Sequence, residues 1–471
     1  MEHATANTAS IKRSYPLTIG KIAQWSNGTP LLPRSALSKI AGAVWNDSRS
    51  VACGDVFVAL TTEKDDGHRY VRNAVDAGAA AVIVAKNRIT AFSDRDRARA
   101  IAVTDPLTAV QRAGARYRQE LDIPVIGITG SSGKTTTRAF TGAVLKSRFA
   151  VGETYTNWNN HIGVPLSLLR FTGHEAFGVI EMGANHREEI RGLSRIARPD
   201  VAIITNIGYS HVGLFGSLTN TTKAKFEIIE GLDRRHGFML LNGDDARLRT
   251  CAAKLGIDAV YYGCSASNDI RAEEIGLTAS LTTVFTVDGH RFTLSMPGRH
   301  FVYCALPAIY LGREFGISLK EIAAALRAVR PLSMRGGIRT KKGVSFIVDC
   351  YNANPSSMLA GLRLLDDVAR KARRVAIVGE MLELGRYATK LHYALGTQIA
   401  GLKCDRVLAI GEHARQIAAG ARAAGLPASR IDFAENAEKA VDVARSVLRK
   451  GDMVLLKASR GVHLEKVFEK F

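Results

Sequence analysis

Short β-branched runs recur along this chain, separated by longer segments in which apolar and polar residues alternate at helical spacing. Val56, Val58 and Leu60 alternate as in a strand, a helix follows and stops near Gly78, and 81–84 reads as a second strand. The polar stretch 88–99 reads as a surface loop. A helix over 107–120 then leads through Ile123 and Pro124 into a β-branched run containing Val125, Ile126 and Ile128. Strands are expected at 176–182, 201–207, 238–241 and 259–262, with helices between them. Residues 281–287 and 291–296, joined by Asp288 and Gly289, read as a hairpin, and the breaker-rich stretch 331–337 as a joint. Beyond it, 345–348, 374–378, 406–410 and 453–457 read as strands, with helices such as 358–369 and 434–448. Such alternation predicts an α/β protein with mostly parallel, doubly wound sheets, whose ligands gather at the carboxyl ends of strands.

Length turns this pattern into several domains: 471 residues exceed one ordinary domain and suit about three. The expected division is a small α/β N-terminal domain (1–103), a central P-loop-type sheet (104–331) and a C-terminal Rossmann-like open sheet (332–471). Residues 1–14 lack the apolar stretch of a secretion signal and read as a disordered tail. No run approaches the ~20 apolar residues of a membrane span. The six cysteines are scattered without a Cys-x-x-Cys pair, which suits reduced thiols in a cytoplasm better than disulfides or a zinc site. The net charge of +20 raises nucleic acid, an anionic membrane surface or a polyphosphorylated substrate. Because Lys and Arg are spread without a dense or aromatic-interleaved stripe, surface background with some help toward anionic ligands is the favoured reading, and no specific nucleic acid is expected.

The candidate chemistry centres on TGSSGKTT at 129–136. Strand, glycine turn and helix start turn backbone N–H groups toward a phosphate, so Gly130, Ser131, Ser132, Gly133 and Thr136 become nucleotide candidates. Lys134 would reach the outer phosphates and Thr135 would hold Mg²⁺. The strict P-loop pattern is not met, since Ile128 stands where its first glycine belongs; a plain Gly/Ser turn is the bland alternative. Glu181 and Asn206 also end predicted strands, and Glu181 suits an oxygen-seeking cation, although a lone strand-end glutamate is usually just solvated. A glycine-punctuated loop carries His211 and leads into a helix with Lys223, Lys225 and Glu227, any of which could be merely exposed. Asn157, Asn159, Asn160 and His161 crowd ahead of a helix as in a binding loop, and Asp349, Asn352 and Asn354 form a second polar strand tip. Asp47, Ser48 and Arg49 follow a strand, where a ligand site and a capping turn are equally admissible. No Ser/His/Asp or Cys/His nucleophilic arrangement suggests itself.

Taken together, these motifs resemble the Mur ligases, the ATP-dependent amide-forming enzymes of peptidoglycan precursor synthesis. TGSSGKTT, NWNNHIGVP (157–165), EMGANH (181–186), YNANP (351–355), GEMLELG (379–385) with His392, and KASR (457–460) carry the resemblance, which runs from about Asp47 to Val467. It implies a UDP-sugar domain, an ATP domain and a domain for the incoming amine. The implied activity is addition of D-alanyl-D-alanine to UDP-N-acetylmuramoyl-tripeptide through an acyl phosphate; separately, a cytoplasmic monomer is expected. Implied cofactors are ATP and two Mg²⁺, one on Thr135 and Glu181 and a second helped by His211. Lys225 aligns with the lysine that CO₂ carbamylates (Lys223 if the register differs by two), Arg335 with a phosphate contact, and Asp349 with a ribose neighbour. Asp47, Ser48, Arg49, Asn159, Asn160, Asn352, Asn354, Lys457 and Arg460 are the implied substrate residues. The chain departs from the pattern Gly-x-His-Asn-x-x-Asn-Ala: both asparagines are replaced, by Phe301 and Cys304, while Val348 and Glu188 stand for a frequent Asp and Gly. These changes keep open a paralogue joining another amine to another acid, and an inactive nucleotide-binding scaffold.

Overall fold

The computed structural model describes residues 16–233, 236–402 and 404–471. The tail expected at 1–14 lies outside these residues. A first sheet has five strands in the order Thr29–Pro30, Ala100–Val103, Ala81–Ala85, Val56–Val58, Val44–Trp45, parallel except at the first edge pair. Here the expectation of a surface loop at 88–99 is corrected. The chain forms a 3-10 turn at Lys86–Ala91 and a short helix at Asp94–Arg97, capped by Ser93. The polar composition hid this because Asp96, only 4% exposed, is drawn inward by Arg72 at 2.9 Å and by the Ser93 hydroxyl.

The central sheet is wholly parallel. Its seven strands run Ile270–Arg271, Ala259–Gly263, Phe238–Asn242, Val201–Ile204, Val125–Thr129, Phe177–Glu181, Val151–Glu153. Val125–Thr129 is buried at all five positions, the signature of a strand covered on both faces. Helices Pro106–Glu120 and Glu189–Ala197 join the apolar cluster on one face, Lys134–Lys146 and Arg299–Glu314 that on the other. This places the ends of Val125–Thr129, Phe177–Glu181 and Val201–Ile204 side by side. The hairpin forms at Thr283–Val287 and His290–Leu294, its two-residue turn made by Asp288 and Gly289, both at positive φ. A third strand, Glu273–Leu277, joins it.

The last sheet has six strands, in the order Gly337–Lys341, Val344–Val348, Met453–Lys457, Arg374–Val378, Arg406–Ile410, Ile431–Ala434. All pairs are parallel except the first. The helix expected at 434–448 is shorter, Ala437–Val447, because Ala434 completes an edge strand and the Asn436 side chain caps the helix by accepting from Lys439 N–H.

Candidate active site

The ends of the three central strands open into a cavity of about 1040 Å³ that the C-terminal unit closes from the far side. Its floor is the glycine turn. Gly130 adopts φ +141°, and a Cβ there would lie 2.0 Å from Thr205 Oγ1, so only glycine lets the turn pass beneath the neighbouring strand end. Ser131 N–H donates to Asn206 O and Ser132 N–H to Asn206 Oδ1, both at 3.0 Å, so Asn206 holds the turn in place. Helix Lys134–Lys146 then starts at Gly133 (φ +81°) with no side-chain cap, and its first-turn N–H groups face the cavity as an anion site. Lys134 Nζ donates to Gly130 O at 2.8 Å, poised at the same place.

Opposite that helix end, Glu181 is buried at the tip of its strand. Its Oε1 accepts from Thr135 Oγ1 (3.2 Å) and Asn159 Nδ2 (2.8 Å). Its Oε2 is buried without a hydrogen-bond partner, with Arg138 Nε 3.7 Å away. An unpartnered carboxylate oxygen beside a threonine hydroxyl is a hard-oxygen donor set that fits Mg²⁺. Among the described residues no three His, Cys, Asp or Glu cluster as a metal site, so phosphate and water oxygens would have to complete the coordination. Lys134 and Arg138 both act on this carboxylate, and Arg335 is near enough to repel Lys134, a local excess of positive charge that a polyphosphate would offset.

Burial pushes the Lys225 ammonium down to about 7, with repulsion from Lys134 adding to it. Its side chain is only 2% exposed and lies behind the cavity wall rather than in its lining. His211 does line the cavity; burial lowers its pKa against the pull of Glu383, whose carboxylate it meets through Nδ1. From the C-terminal unit come Arg335, stacked on Tyr351 at 4.0 Å, with Asp349, Asn352 and Asn354; Asn354 Nδ2 donates to Ser132 Oγ at 2.8 Å. Lys457 joins Asp349 at 2.6 Å. Asn159 and Asn160 reach the rim from the central unit.

Other sequence candidates do not meet here. Asp47 and Arg49 pair with each other on an exposed turn of the N-terminal unit, with Ser48 between them, and Asp47 caps the turn. Arg460 pairs with Glu465 and touches Met334. Sequence reasoning missed Arg138, although it stands one helical turn beyond Lys134, and it missed Asp244 and Asp245, which follow a strand end. Asp245 Oδ2 accepts from Ile207 N–H, and Asp244 Oδ2 from the Tyr303 hydroxyl, both at 2.8 Å.

Residues 128–312 match the family description "Mur ligase middle domain", and residues 334–460 match "Mur ligase, glutamate ligase domain". The UDP-N-acetylmuramoyl-tripeptide--D-alanyl-D-alanine ligase of Bacillus subtilis (strain 168) is 36% identical over 456 residues, covering 96% of this chain and 97% of that protein. The chain belongs to the Mur ligase family. The Mur ligase is thus an ATP-dependent enzyme that forms carbon–nitrogen bonds. A relative of the same name from Escherichia coli (strain K12) is 34% identical over 381 residues, 80% of this chain and 82% of that one. The crystal structure I of MurF from Acinetobacter baumannii matches with a TM-score of 0.83 at 28% identity, covering 97% of this chain and 98% of that one. The MurF ligase from Thermotoga maritima in complex with ADP matches with 0.78 at 28% identity, covering 92% and 97%.

At the two departures this Mur ligase presents a ring and a thiol. The Phe301 ring lies tilted by 40° against that of His300, 4.1 Å between centroids, and Cys304 Sγ rests 3.8 Å from Gly133 O. Burial raises the Cys304 thiol to about 11, so it is a neutral wall rather than a nucleophile.

Proposed function

We propose that this Mur ligase adds D-alanyl-D-alanine to UDP-N-acetylmuramoyl-tripeptide at the expense of ATP. The observation that carries this reading is 36% identity, spread over 96% of the chain, to a ligase named for that reaction. A carboxylate is a poor electrophile at neutral pH, so it is first phosphorylated by ATP, and the incoming amine then displaces phosphate. Binding and orienting account for most of the protein's part. The helix start at Gly133, Lys134 and Arg335 bind and orient the phosphates and offset charge that grows on them. Thr135 and Glu181 would hold one Mg²⁺ and His211 would help hold a second. Bound there, the ions supply charge neutralisation to the phosphates. Lys225, whose pKa its surroundings lower to about 7, is the amine that CO₂ would convert to a carbamate, with the Lys134 ammonium near enough to offset part of the new charge.

In this reading Asp349 would neighbour the nucleotide, and Asn352, Asn354, Lys457 and Arg460 would take substrate. In this proposal the N-terminal unit takes the UDP-sugar through Asp47, Ser48 and Arg49, the central unit ATP and the C-terminal unit the dipeptide, in a cytoplasmic monomer. No helix among the described residues is long and apolar enough to cross a membrane. The test is phosphate release by purified protein with ATP, Mg²⁺ and UDP-N-acetylmuramoyl-tripeptide. Release only on adding D-alanyl-D-alanine supports the proposal. Phe301 and Cys304 favour a second reading, a paralogue for another acid and amine, and release only with a different pair would establish it.

A further inference from the structure

The Mur ligase cavity is closed by a contact whose chemistry the family reading leaves unused. His211 and Glu383 lie 172 residues apart, on the central and C-terminal units, and His211 Nδ1 meets Glu383 Oε2. Both hold left-handed backbone, at φ +55° and +61°. Around them the loop after Asn206 and the turn after Met381 dock closely. Gly213 N–H donates to Glu383 O at 2.9 Å, and Tyr387 OH and Arg386 Nη2 both donate to Gly216 O at 3.2 Å. A Cβ on Gly213 would stand 2.6 Å from Gly385 N. Val212 is buried in the same apolar cluster as Met381 and Leu384, so the docking is dry as well as polar.

We infer that Glu383 is a positioning residue: by accepting the Nδ1 proton of His211 when the C-terminal unit docks, it fixes the ring so that Nε2 carries the free lone pair toward the phosphate end of the cavity. An imidazole can present a lone pair on one nitrogen only while its proton stays on the other, and a carboxylate partner decides which. Because that carboxylate arrives on another unit, His211 becomes competent only in the closed arrangement, which couples closure to the chemistry. The inference rests on the proposed role of His211 at the phosphates.

The experiment uses the full chain labelled with ¹⁵N-histidine, with ADP and Mg²⁺ present, beside steady-state kinetics of variants. His211 is expected as the Nδ1–H tautomer in the wild type and to lose that preference in Glu383→Ala. Glu383→Ala should lower kcat by roughly 10–100-fold with KM for ATP nearly unchanged. Glu383→Gln, whose amide oxygen can accept the same proton, should recover most of the loss. His211→Ala/Glu383→Ala should be no slower than His211→Ala alone. An Nε2–H tautomer in the wild type, a Glu383→Ala enzyme with normal kcat, losses that multiply in the double variant, or a rise in both KM values with kcat unchanged would each overturn the inference. If the wild type turns over only another acid and amine, the substrate assignment fails, while the tautomer and the kinetic cycle still decide the role of Glu383.

Discussion

Lys457 is the most deeply buried cation of the C-terminal unit, and replacing it by methionine tests how that unit holds its polar strand tip. Its side chain is 1% exposed, and Nζ donates to Asp349 Oδ2 at 2.6 Å, Asn352 O at 3.2 Å and Asp349 O at 3.3 Å. Methionine keeps the stem that packs over Gly361, where a Cβ would approach Lys457 Cδ to 3.0 Å. Only the charge and its three bonds are removed. Breaking a fully buried ion pair costs about 3–5 kcal/mol. Asp349 is 22% exposed, so water re-solvates part of its carboxylate and the cost falls below that range, to about 2–3 kcal/mol. The two carbonyls add about 0.5–1 kcal/mol each, and the apolar methionine returns about 1 kcal/mol. The net loss is about 3 kcal/mol, equivalent to a roughly 150-fold faster opening-limited exchange. Amide hydrogen exchange along Met453–Lys457 measures this without assuming that three units unfold together. Asp349→Asn, combined in a double-mutant cycle, should couple to Lys457→Met by about 2 kcal/mol. An acceleration below about 10-fold, or no coupling, would refute the claim that the pair stabilises the strand tip.

Lys225 has a folded-state pKa of about 7 against 10.5 for a free lysine. Below about 7 both states bind the proton and the burial penalty is full. As pH rises toward 10.5 only the unfolded chain stays protonated, so stability should climb across that window, and Lys225→Met should flatten the slope in urea titrations. With ¹³C-labelled CO₂, a carbamate resonance should grow as pH rises through about 7 and be missing from Lys225→Met. Glu181→Gln should lower turnover by about 100-fold or more and weaken the Mg²⁺ dependence of ADP binding seen by calorimetry, because one hard anionic donor is lost. In Gly163→Ala the new Cβ would lie 2.4 Å from Trp158 Cα, so the loop bearing Asn159 must shift. A loss of about 1–3 kcal/mol is expected, read as a lower thermal midpoint.

Much of the architecture was legible locally. Val125–Thr129 announced itself because a strand covered on both faces has to be apolar throughout, and the turn after it because Gly130 and Gly133 occupy backbone that other residues resist. The Asp288–Gly289 hairpin was legible for the same steric reason. One edge strand of the last sheet escaped notice. Gly337–Lys341 has no fully buried position and is recruited by ladder hydrogen bonds to Val344–Val348, which leave no hydrophobic signature. Asp96 escaped as well, since an acidic residue in a polar stretch gives no sign that an arginine from another helix will bury it.

What the sequence determined alone was therefore the set of local preferences: where strands and helices form, where only glycine fits, and which residue types could serve a phosphate and its cation. Tertiary structure decided which of those residues share a space. It gathered Lys134, Thr135, Glu181, His211 and Arg335 around one cavity, set Lys225 just behind its wall, and left Asp47, Ser48, Arg49 and Arg460 elsewhere. It also chose Glu383, far along the chain, as the partner of His211. Local preference reflects the sterics of a few neighbouring residues, whereas a shared cavity and a lowered lysine pKa arise from the packing of whole sheets and the water they exclude.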